Sequence, residues 1–162
     1  NITGAFNTYY KNIQPIDNKE YSIHGLNEEF LKANAVGTFP EQFIISPLYV
    51  TKPTMFISYT TFDVRRINDE TRKHGMTPPP FGKQTSGLGD VPEVLNLHFD
   101  AFKHGRMKGE KLYEQMGAEP INAIYEELAM FGSFTRKGNH DALFDSALIL
   151  ALARGMRNVH AE

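Results

Sequence analysis

Cysteine is absent from the 162 residues. That excludes disulfides, thiolate zinc sites, iron–sulfur clusters and cysteine nucleophiles. Long apolar runs are also missing: none approaches the roughly 18 residues of a membrane-spanning helix. Neither sign of charge dominates. The 17 Lys and Arg stand against 19 Asp and Glu, a formal net charge of −2, whereas a general polyanion binder is basic. The opening residues Asn1-Ile2-Thr3-Gly4 carry neither a basic stretch nor an apolar leader core. Asn1-Ile2-Thr3 does fit the short N-glycosylation pattern. With no cysteine to form disulfides, the expectation is a protein of the cytoplasm, or of a particle assembled there, rather than a secreted one.

What is present is ordinary in bulk. The hydrophobic fraction is 41% and the charged fraction 22%, as in a soluble globular domain. A chain of this length buries about two thirds of its unfolded surface without covalent help.

Residues 1–25 follow neither helical nor strand periodicity. Phe6, Tyr9, Tyr10 and Ile13 are scattered among polar residues, with Pro15 and Gly25 as interruptions. This reads as an extended arm, too aromatic to be a disordered tail. Asn27 followed by Glu28 and Glu29 reads as an N-cap and first turn, with a helix over about 28–35. Residues 42–50 and 54–64 are rich in β-branched and aromatic side chains and predict two strands. Thr51-Lys52-Pro53 would be the turn between them, and Pro47 marks an edge strand or a bulge. Residues 65–75 are highly charged, a solvated turn of helix or a loop. Residues 76–89 carry three prolines and three glycines and predict a long connector.

The rest reads as helical. Asp90-Val91-Pro92-Glu93 has capping-box spacing, and an apolar stripe runs on through Leu95, Phe99, Phe102, Tyr113 and Met116. Pro120 opens a second stripe of Ile121, Ile124, Tyr125, Leu128 and Phe131. Asn139 and Asp141 suit the start of a last helix that is apolar over most of its circumference, Leu148 and Leu152 included. The expected fold class is α+β and helix-dominated. It comprises an N-terminal extended arm (1–25) and a single domain (26–162). That domain holds a small antiparallel hairpin or sheet, the Pro/Gly-rich loop, and a C-terminal cluster of three to four helices.

Several chemistries can be ranked. The six histidines, His24, His74, His98, His104, His140 and His160, show no pair at helical zinc-site spacing. Gly82 to Gly89 is glycine-rich before a capped helix, yet Asp90 stands where a phosphate loop needs Ser or Thr after Lys, so a plain connector is the better reading. Lys103 to Lys111 is locally basic but interleaved with acid, and nucleic acid is not the favoured partner. Asp141 and Asp145 are four apart and share a helix face, close enough to share a divalent cation.

The segments Ile124-Tyr125-Glu126-Glu127-Leu128-Ala129-Met130-Phe131 and Asn139-His140-Asp141-Ala142-Leu143-Phe144-Asp145-Ser146-Ala147-Leu148 resemble the closing motif of phage terminase and RuvC-type nucleases. The resemblance implies an RNase H-like fold and DNA hydrolysis by two magnesium ions, with Asp141 or Asp145 as a ligand. The strand that would carry the family's first acid ends at Asp63, and the strands that should follow it are replaced by charged turn and proline loop.

The leading expectation is therefore a non-catalytic assembly subunit of a larger complex without a cofactor, comparable in make-up to virion neck, tail or connector proteins. Its partners would be other protein subunits, in a homo- or hetero-oligomer, with no membrane. Phe6, Tyr9, Tyr10, Ile13, Phe81, Leu148 and Leu152 are the expected contact residues. The alternatives are the magnesium-dependent nuclease and a small-ligand module walled by Tyr59, Phe62 and Phe81.

Overall fold

A computed structural model describes residues 1–11, 15–50, 56–58, 62–78, 85–87, 109–138 and 141–160. Helices dominate these residues: α1 (Asn18–His24), α2 (Glu28–Asn34), α3 (Phe39–Phe43), α4 (Pro47–Val50), α5 (Phe62–Lys73), α6 (Gly109–Met116), α7 (Glu119–Leu128) and α8 (Ala142–His160). Two three-residue segments, β1 (Phe56–Ser58) and β2 (Thr85–Gly87), lie parallel, with Phe56 opposite Thr85 and Ser58 opposite Gly87.

The α+β expectation with its antiparallel hairpin is overturned. Residues 42–50, expected as an edge strand, form the end of α3 and all of α4. Local capping outweighs β-propensity here. Glu41 closes a capping box on Thr38, accepting the Thr38 N–H at 2.8 Å, and Pro40 occupies the first turn of α3. Ser46 then precedes Pro47, and its carbonyl accepts both the Tyr49 and Val50 N–H at 3.0 Å. Proline in a first turn lacks only an N–H that would have no helical partner anyway. Of the second expected strand, Phe56–Ser58 is extended, while Phe62 to Val64 open α5 with Asp63 at the favourable end of the helix dipole. The extended arm is also corrected, because Asn18–His24 is helical. The expected turn at 51–53, the capping box at 90–93 and the stripe from Leu95 to Phe102 lie outside the described residues.

The chain divides into two compact units. The first gathers Asn1–Ala5, Met55–Thr61 and Gln84–Glu162. Its core is aliphatic and lies between α7 and α8: Ile121, Ile124 and Leu128 against Phe144, Ala147, Leu148, Ala151 and Leu152. Spacings of three and four put each set on one stripe of its helix. Ile2, Ala5, Tyr113, Met116 and Phe134 pack around the rim. Gly117 ends α6 at φ 79°, a left-handed turn that glycine adopts without a steric penalty.

The second unit comprises Phe6–Thr54 and Phe62–Lys83. Rings hold it together. Tyr9 meets Phe30 edge-on at 5.1 Å, Tyr10 meets Phe39 at 5.2 Å, and Phe39 stacks on Phe43 at 4.9 Å and on His74 at 5.7 Å. The segment at 9–11 is tied to the chain after α2 by Lys11 N–H to the Gly37 carbonyl at 2.8 Å and Val36 N–H to the Tyr9 carbonyl at 3.3 Å. Asn27 caps α2 by accepting the Phe30 N–H at 2.7 Å.

Candidate functional site

The turn between α3 and α4 leaves apolar side chains in solvent. Phe43 faces inward and is buried, and Ser46 is buried with its hydroxyl donating to the Phe43 carbonyl at 2.7 Å. That register sends Ile44 and Ile45 outward. Ile44, Ile45 and Val50 are 48%, 60% and 62% exposed, and Tyr49 joins them while its ring leans edge-on against Phe43 at 5.6 Å. Single exposed apolar residues are normal, whereas here four stand within seven residues. Glu41 is the only charged residue from Phe39 to Val50. The Thr38 backbone N–H, then the Thr38 hydroxyl, hold its carboxyl below the ordinary carboxylate range. In the other unit the turn after α7 leaves Met130 84% exposed, beside an exposed Phe131.

A polar cluster stands at the start of α8. Arg136 donates to the Tyr113 hydroxyl and to Asn122 Oδ1, and its guanidinium lies 5.4 Å from the Tyr113 ring centre and 5.6 Å from that of Phe144. Asp141 Oδ2 accepts the Phe144 N–H at 3.2 Å, which makes it the cap of α8. The Tyr125 hydroxyl is buried and has no hydrogen-bond partner among the described residues. Burial raises its pKa first; the nearby Asp141 adds to the rise, Arg136 opposes it, and Asp145 adds a smaller increment. Arg136 thereby ties the segment after α7 to Asn122 on α7 and to Phe144 on α8. On α7 and α8, Arg154 forks onto both Glu127 oxygens, with Nη2 to Oε1 at 3.0 Å.

The sequence-predicted site residues fall in different places. Asp141 precedes α8 and is engaged as its cap, while Asp145 stands in the first turn of the helix. Leu148 and Leu152 are 5% and 2% exposed within the first unit's own core. Tyr9 and Tyr10 are half-buried against Phe30 and Phe39, while Phe6 is exposed. Phe62 is exposed with Arg66 5.8 Å from its ring centre. Ile13, Tyr59 and Phe81 lie outside the described residues, as do most of the glycine-rich loop and of the basic segment at 103–111. Ile44, Ile45, Tyr49 and Val50 are not among the expected contact residues. The signal that finds them is Thr38-Phe39-Pro40-Glu41 followed by Ser46-Pro47, two helix starts in nine residues.

Among the described residues, no three His, Cys, Asp or Glu side chains gather closely enough to hold a metal ion. No helix among them is long and apolar enough to cross a membrane. Comparison with known protein families, curated proteins and solved structures finds no match.

Proposed function

We propose that this chain is a non-catalytic subunit of a larger protein assembly and that the α3–α4 surface meets a neighbouring subunit. The observation that carries the reading is the outward projection of Ile44, Ile45 and Val50 from a segment whose inward residues, Phe43 and Ser46, are already buried. Leaving that apolar area in water costs about 25 cal/mol for each Å² that a partner could cover. The closing helix gives the reading no support, since its Leu148 and Leu152 are buried in the first unit's own core.

The test is the native mass of the purified chain across the micromolar range, beside an Ile45→Asp variant. A particle heavier than one chain, returned to one chain by Ile45→Asp with an unchanged far-ultraviolet circular dichroism spectrum, is the expected result. Residue 45 is exposed, so the substitution itself alters stability by no more than about 0.5 kcal/mol. A chain that stays single at every concentration, with Ile45→Asp indistinguishable from it, overturns the proposal.

A further inference from the structure

We draw no further inference here: the strongest candidate, the exposed apolar surface patch of Ile44, Ile45, Tyr49 and Val50 at the α3–α4 turn, belongs to the surface already described, and nothing in the structure shows which partner covers it.

Discussion

The two units bury apolar surface by different means. In the α7–α8 unit, Ile121, Ile124, Leu128 and Phe144 interlock between helices of 10 and 19 residues. In the unit of α1 to α5, the buried apolar side chains among the described residues are Leu31 and Phe43, joined by buried Ser46 and Thr71. Helices of four to seven residues at α1 to α4 cannot present a long stripe, so caps, ring contacts and side-chain-to-backbone hydrogen bonds take over. The first unit can stand on its packing. The second depends on local devices and leaves isoleucine and valine in solvent, which makes it the better candidate for contact with a neighbour.

Truncating one large core side chain in each unit tests this contrast most severely. Phe144 is surrounded by the aliphatic cluster and by the Tyr113 ring, edge-on at 5.4 Å. Phe144→Ala is expected to lower the unfolding free energy by about 3–5 kcal/mol, read from urea denaturation. Phe43 is equally buried, but its neighbours Ile44, Ile45 and Tyr49 are already partly in water and can fold over the gap. Phe43→Ala is expected to cost about 2 kcal/mol, because a site that collapses leaves a smaller cavity. Equal losses would erase the distinction between the units.

The same contrast decides what could be read from sequence. Asn27 before two glutamates announced α2, and Pro120 before Ile121, Ile124 and Leu128 announced α7 and its buried stripe. Such signals are local and periodic, and tertiary context had nothing to override. Residues 42–50 misled because Phe43, Ile44, Ile45, Tyr49 and Val50 look like strand material until the helix starts at Thr38 and Ser46 are weighed against them. The last helix misled differently. Leu148 and Leu152 read as partner contacts, yet a helix apolar on most sides looks the same in sequence whether its own chain or a neighbour covers it. Asp141 was legible in position as a helix start, while its neighbourhood with Tyr125 and Arg136 depends on how α7 meets α8.

Two smaller substitutions probe the local devices directly. An added Cβ at Gly37 would stand 2.7 Å from Glu41 Oε2 and 3.3 Å from Gln42 Nε2. Gly37→Ala must therefore shift the Glu41 carboxylate that accepts the Thr38 N–H, and the expected loss is at most about 1 kcal/mol, the usual worth of a helix cap. The same substitution combined with Glu41→Ala should add little, since the cap is then already gone. In the other unit, Asp141→Ala should also cost about 1 kcal/mol while Asp141→Asn costs only a few tenths, because asparagine caps as well as aspartate. Thermal melts of these variants, with Glu41→Ala alone as the reference for the double, check both expectations. A cost for Asp141→Asn equal to that for Asp141→Ala would mean that the charge near Tyr125, and not the cap, is what matters at this position.

The finest test sets Glu41 against Glu127. Both carboxyls titrate below their ordinary range, for different reasons. The Thr38 backbone N–H is the main influence at Glu41, while at Glu127 the Arg154 guanidinium leads, with Ile2 N–H also contributing. A carboxyl held low in the folded state stabilises the fold above its unfolded value, about 4.3, and that stabilisation disappears as pH falls through the lower folded value. Glu41→Gln and Glu127→Gln should each flatten part of the wild-type loss of stability on the acid side of pH 4.3 and leave neutral pH less stable. Salt then separates the two. The Debye length shrinks to about 3 Å in 1 M salt, so the coulombic part of the half-buried Arg154–Glu127 attraction weakens and the Glu127 carboxyl moves part of the way back toward its ordinary range. The Glu41 contact is a short hydrogen bond to a neutral donor at 2.8 Å and should barely move. Carboxyl resonances followed by NMR between pH 2 and 6, at low and high salt, measure both. A Glu41 value that rises with salt as far as that of Glu127 would show that charge, such as that of Lys11, rather than the Thr38 cap holds it.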